Sequence, residues 1–393
     1  MDLIVVAADR VRSWALARPA VTVLTSPDRM TLGWRVEAAA RSRGWGRADS
    51  PADADVLLLV GDLGTHLAPA ARLWWHHMTA PRAQVAVRDE GQIDHALDDA
   101  LARLRDWPVQ RKEAERTDET LALLQAPDAP LDVEHGGHGG HDVGGHDMGG
   151  HGGHDMGGHG GHDMGGHGGH DMGGHGGHDM GDVAGLPMAG TGEDRDGLEL
   201  DVLTYRWGPF LTGWPTGLVV RTSLSGDVVS AATVEAQPDA AEALPRLAAV
   251  AHSLVSVLGL SGWDRAARAV SALPLAGLEG RPVSDAERRW LERIHRSRTL
   301  RWALRDVADL DGQDAGARLR SWCEELLTAD SSDGAWTTTP DSELVPKVVE
   351  GTEMARARIA VASIALTPAA KHLGETTHRH AGGHRRHDHG NLA

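Results

Sequence analysis

The sequence predicts an α/β domain with a parallel sheet over residues 1–125 and a disordered His/Gly-rich linker over 126–190. An α+β domain, a small antiparallel sheet plus a helical bundle, is predicted over 191–370, with a His-rich disordered tail over 371–393. Three observations carry this reading. Short apolar runs alternate with helix-period segments in the first third, as in chains that form parallel sheets covered by helices. The middle repeats His-Gly-Gly-His-Asp-Met-Gly-Gly almost without branched or aromatic side chains, so it has nothing to bury. The last part opens with a hairpin signal and continues in amphipathic runs.

The first block begins with two short strands, Leu3–Ala7 and Val21–Leu24, then a helix over Thr31–Ser42 that ends near Gly44. Asp55–Gly61 is a continuous apolar run closed by glycine, the pattern of a strand buried on both faces. A helix over Leu67–Met78, a strand over Gln84–Val87 and a helix over Gln92–Leu104 complete the alternation. In the last block Leu198–Leu203 reads as a strand, and Gly217–Leu224 and Asp227–Val234 flank the turn Ser225-Gly226. Helices are predicted over Ala240–Leu258, over Trp263–Leu273, and from the capping box Ser284-Asp285-Ala286-Glu287 through Arg305. Two more follow, over Ala315–Leu327 and Glu353–Leu366. Trp45, Trp263, Trp290, Trp302 and Trp322 read as core or interface fillers, and Arg288–Arg305 as a solvated basic face or a docking surface.

Composition narrows the function. A chain of 393 residues suggests two or three domains. A formal net charge of -17 argues against a nucleic-acid partner. The single cysteine, Cys323, excludes an intrachain disulfide, a Cys-rich zinc site and an iron–sulfur cluster held by cysteines. Met1–Val6 is too short and too soon acidic for a signal peptide. No apolar run approaches the ~18 residues of a membrane span. The expected location is cytoplasmic, extending to a peripheral position on the inner face of the plasma membrane.

The candidate metal ligands are His135, His138, His141, His146, His151, His154, His159, His162, His167, His170, His175 and His178 in the repeat. His378, His380, His384, His387 and His389 form a second set in the tail. Neutral imidazoles on glycine spacers suit Ni, Zn or Cu. The adjacent aspartates can orient the rings, and Met148, Met156, Met164, Met172 and Met180 add soft donors for Cu(I). The alternative is a slippage-expanded linker that binds metal only because any such peptide would. Gly61-Asp62-Leu63-Gly64-Thr65 follows a strand and precedes a helix, but lacks the dinucleotide fingerprint and a Walker lysine, so it reads as a βα turn. No Ser/His/Asp order and no paired carboxylates mark a catalytic site.

Two stretches resemble one family. Ala54–Gly61, Ala68–Met78 and Pro81–Glu90, within roughly 70 residues from Val21 to Glu90, resemble the cluster-carrying small subunit of complex I (NADH–quinone oxidoreductase) and of membrane-bound [NiFe]-hydrogenases. Trp207–Glu235 resembles the start of the partner large, quinone-side subunit: Gly208-Pro209 and Gly217 fit its opening loop, and Leu218–Val229 fits its hairpin, with Gly226-Asp227 at the turn. The departures are chemical. The family's early cysteines would fall near Ser26–Met30 and a later one near Glu90, and none is present. Phe210, Leu211 and Trp214 occupy the loop where the large subunit carries a quinone-contacting histidine, and the paired cysteines for Ni–Fe are missing. The resemblance therefore implies a redox-inactive accessory or assembly subunit, without an Fe–S cluster and with no catalytic activity of its own. Its implied partners are the subunits of a membrane-bound oxidoreductase complex, together with metal ions on the linker. Two other readings are a soluble nickel or zinc chaperone or store, and a working NADH–quinone oxidoreductase subunit.

Overall fold

The computed structural model describes residues 16–115, 190–193, 199–329 and 334–369. The expected strand Leu3–Ala7, the histidine repeat and the histidine tail lie outside the described residues.

The N-terminal region is a four-stranded parallel sheet, β1 (Ala20–Thr25), β2 (Gly46–Arg47), β3 (Val56–Val60) and β4 (Ala83–Val87), in the order β2-β1-β3-β4. Three helices connect or follow the strands: α1 (Met30–Ser42), α2 (Gly64–His77) and α3 (Ile93–Arg105). β3 is apolar throughout because both of its faces are covered. Leu58 and Val60 pack with Leu32 and Val36 of α1 and Leu97 and Ala100 of α3. Leu57 packs on the other side with Leu67 and Ala71 of α2. Within the described residues, the strands and helices expected from Val21 onward are present, and the short edge strand β2 is an addition to them. α2 starts at Gly64 rather than Leu67, because the Asp62 carboxylate accepts the Gly64 N–H at 2.9 Å and opens the helix a turn early.

The C-terminal region carries an antiparallel sheet, β5 (Gly190–Glu193), β6 (Glu199–Trp207), β7 (Val219–Ser225) and β8 (Val228–Ala236), paired in sequence order. Ser225 pairs with Val228 and Gly226-Asp227 is the hairpin turn, with Gly226 at φ 64°, a backbone angle that suits glycine. β9 (Leu244–Pro245) then leads into α4 (Arg246–Leu260). This shortens the helix expected over Ala240–Leu258: Leu244 pairs with Trp336, and Pro245 places the helix start after itself. The segment expected as one helix over Trp263–Leu273 is α5 (Asp264–Ala269) followed by α6 (Leu273–Glu279), with Pro274 in the first turn of the second. The basic helix expected from Ser284 to Arg305 also divides. The Ser284 capping box opens α7 (Asp285–His295), and Ser297 caps α8 (Arg298–Ala303) by accepting the Leu300 N–H at 3.2 Å. α9 (Ala315–Thr328), β10 (Ala335–Thr337), α10 (Leu344–Val349), α11 (Met354–Ile364) and β11 (Thr367–Pro368) complete the described order, and β9, β10 and β11 form a second small sheet. The main core lies between the inner face of β6–β8, with Trp207, Val220 and Val229, and the helices α4, α9 and α11.

The described residues on the two sides of the linker pack into one compact unit. Met30 and Trp34 of α1 share an apolar cluster with Leu244, Ala248 and Ala249. Among the described residues, no helix is long and apolar enough to cross a membrane.

Candidate functional site

The carboxyl ends of β1 and β3 lie side by side where the strand order reverses, the position at which open parallel sheets present a crevice. The backbone there is tightly drawn. Ser26 N–H donates to the Val60 carbonyl at 2.8 Å, and Gly61 N–H donates to the Val87 carbonyl at 2.9 Å. Gly61 sits at φ 81°, and a Cβ on it would stand 2.8 Å from Cγ of Arg29 and 3.0 Å from Cβ of Ser26, so only glycine fits. The Ser26 hydroxyl hydrogen-bonds the Asp28 carboxylate.

The C-terminal half covers this edge. Glu242 accepts the Thr31 N–H at 2.9 Å and the Thr31 hydroxyl at 2.6 Å, and its own N–H donates to the Pro27 carbonyl at 2.9 Å. Gly217 lets the chains approach, since a Cβ there would lie 2.9 Å from Pro238 and 3.0 Å from Pro27. Between the two halves remains an open cavity of about 600 Å³. Ser26, Asp62 and His66 line it from the parallel sheet, and Glu235, Asp239 and Glu343 from the other side. No lysine or arginine lines it among the described residues. Burial opposes charge on Glu235, but hydrogen bonds from Arg221 and Arg206 outweigh this and hold its carboxyl below the usual range.

The opening loop of the second half docks beside this cavity. Phe210 is buried among Leu24, Leu57, Leu67 and Met78 of the parallel-sheet region. Trp214 donates from Nε1 to the Leu218 carbonyl at 2.8 Å and meets Trp207 edge to face at 5.9 Å. Thr212 donates to the Asp49 carbonyl at 3.1 Å, and Arg358 donates to the Thr212 carbonyl at 3.2 Å. A Cβ on Gly208 would stand 1.9 Å from the Leu218 carbonyl oxygen, so the loop can close only with glycine there.

The positions at which the family resemblance expects cysteines are at this same end of the sheet: Ser26 after β1, and Glu90 after β4, where it pairs with Arg35 at 2.8 Å. Hydroxyl and carboxylate groups there do not fit a four-thiolate cluster. The single thiol, Cys323, is buried in α9 within the main core. Burial, reinforced by Glu324, pushes it up to about 12. It is an inert core side chain.

The seventeen histidines singled out as metal ligands lie outside the described residues. Among the described residues, no group of three or more His, Cys, Asp or Glu side chains converges as a metal site. His76 and His77 end α2 with exposed side chains. Of the tryptophans expected as fillers, Trp45 and Trp322 are buried, and Trp263 and Trp290 meet edge to face at 6.4 Å. Trp302 departs from that expectation: it is 72% exposed. A further residue went unmarked by spacing. His252 of α4 lies at the seam of the two halves, its ring 5.6 Å from that of Trp34. Burial, helped by the positive charge of Arg47, pushes it down to about 4. The signal that could have found it is the lone ionisable group inside the apolar run of α4.

No family model, curated protein or solved structure matches the chain.

Proposed function

We propose that the chain is a redox-inactive accessory or assembly subunit of a complex I-like or hydrogenase-like membrane complex, with a metal-binding histidine-rich linker. One observation carries the reading. The loop opening at Trp207 seats Phe210 on the α2 face of the parallel sheet, and the strands of that sheet lead to Ser26 and Glu90, where the resemblance expects thiolates. A small-subunit-like half and a large-subunit-like half joined in this way would keep a docking body and lack an electron carrier. In this reading the protein acts by binding: its surfaces meet partner subunits, while the linker gathers Ni, Zn or Cu locally. The location proposed is cytoplasmic, against the inner face of the membrane that holds the complex.

The test is affinity isolation of the tagged full chain from its native membranes, with proteins and metals counted in the same eluate. Co-isolation of oxidoreductase or hydrogenase subunits in fixed ratio supports the reading. A metal-loaded chain without such subunits overturns it and favours the second reading, a nickel or zinc chaperone or store. That second reading is supported by the twelve repeat histidines themselves. Deletion of residues 135–180 separates the two: a scaffold keeps its partners, whereas a chaperone loses its function.

A further inference from the structure

We propose that the exposed face of α8 centred on Trp302 docks an acidic segment of a partner protein. Trp302 is 72% exposed, the most exposed large apolar side chain among the described residues. The burial of α8 makes this a one-sided arrangement. Leu300 and Leu304 point into the main core at 7% and 1% exposure. Arg298, Arg301 and Trp302 fall at the i, i+3, i+4 spacing that lines one helical face. α8 ends at Ala303, and Arg305 follows in the turn, its N–H donating to the Trp302 carbonyl at 3.4 Å. The neighbouring cations on α7 are engaged: Arg296 pairs with Glu292 at 3.5 Å, and Arg293 stacks over Trp290 at 5.3 Å. Arg298 and Arg301 have no side-chain ion pair or hydrogen bond among the described residues.

An exposed indole among unpaired guanidiniums is the combination that concentrates binding energy in protein interfaces. Its charge selects an acidic partner. The flanking residues select a narrow one. Asp306, Asp309 and Asp311 follow directly and are exposed, and the whole chain carries a net charge of -17. A planar anionic bilayer would meet those aspartates together with the arginines. A narrow acidic segment can meet Arg298, Arg301 and Trp302 on α8 without covering Asp306, Asp309 and Asp311, which follow the end of that helix. This inference does not depend on the identity of the partner complex.

The experiment uses the full chain and a fluorescently labelled peptide of alternating Glu and Leu, read by anisotropy. A Lys-Leu peptide and vesicles of phosphatidylglycerol with phosphatidylcholine run in parallel. Expected is saturable binding of the Glu-Leu peptide that weakens with salt and is lost with the Lys-Leu peptide. Trp302→Ala should weaken it about tenfold, and Arg298→Glu with Arg301→Glu should weaken it at least as much. Arg72→Glu, an exposed change on α2, should leave it unchanged. Because these side chains are exposed, an unchanged urea midpoint checks that each variant is folded. Binding that ignores the α8 variants, an absence of peptide binding, or capture by the anionic vesicles in place of the peptide overturns the proposal.

Discussion

Acidification should loosen the seam between the two halves through His252. Its ring lies 5.6 Å from Trp34 of α1, tilted by 36°, and burial followed by the Arg47 charge lowers its pKa to about 4. In the unfolded chain the same imidazole titrates near its ordinary value of 6.5. Between those two values the unfolded state takes up a proton that the folded state refuses. The stability contribution is therefore complete above pH 6.5, falls as the pH drops below it, and levels off below about 4. At about 1.4 kcal/mol per pH unit, the full gap corresponds to about 3 kcal/mol, of which about 2 kcal/mol is gone by pH 5. His252 is only half-buried by surface area, and solvent screening makes these figures ceilings. The assay is urea unfolding near pH 7.5 and near pH 5, for the natural chain and for His252→Gln. All other histidines are common to both proteins and cancel in the difference. The natural chain should lose up to about 2 kcal/mol more than the variant. Equal losses in the two proteins would refute the placement of a neutral histidine at this seam.

Three further outcomes follow from the same geometry. Phe210→Ala empties a buried site between the halves and should lower stability by about 3 kcal/mol, measured by urea unfolding. Gly208→Ala forces a Cβ onto the Leu218 carbonyl and should cost more than about 3 kcal/mol or abolish soluble expression, whereas Gly226→Ala, with open space around it, should cost only about 1 kcal/mol of backbone strain. Deleting residues 135–180 should remove most of the Ni, Zn or Cu bound in equilibrium dialysis and leave the urea midpoint of the remainder unchanged. A deletion that binds as much metal as the full chain would refute the assignment of the repeat histidines.

Much of the fold is legible from local pattern. The apolar run of β3, the turn at Gly226 and the Ser284 capping box each state their structure within a few residues, because strand burial, turn backbone and helix capping are short-range requirements. The errors occur where a distant contact overrides periodicity. Leu244 leaves its expected helix to pair with Trp336, far along the chain. Ser297 starts a new helix inside a run that still has helical spacing. Trp302 looks like a core residue by type, yet points to solvent because Leu300 and Leu304 already fill the inward face of α8.

The sequence by itself determined the strand–helix alternation of the first block, the hairpin and the run of helices after the linker, and the lack of four thiolates, since these depend on residue identity and near neighbours. Only the tertiary structure decided that the halves meet, that Phe210 and Glu242 join them, and that His252 is held neutral at their seam. Those facts depend on which surfaces come together across more than a hundred residues of chain. Burial, close approach and electrostatic field belong to that meeting and have no local pattern in the residues that make it.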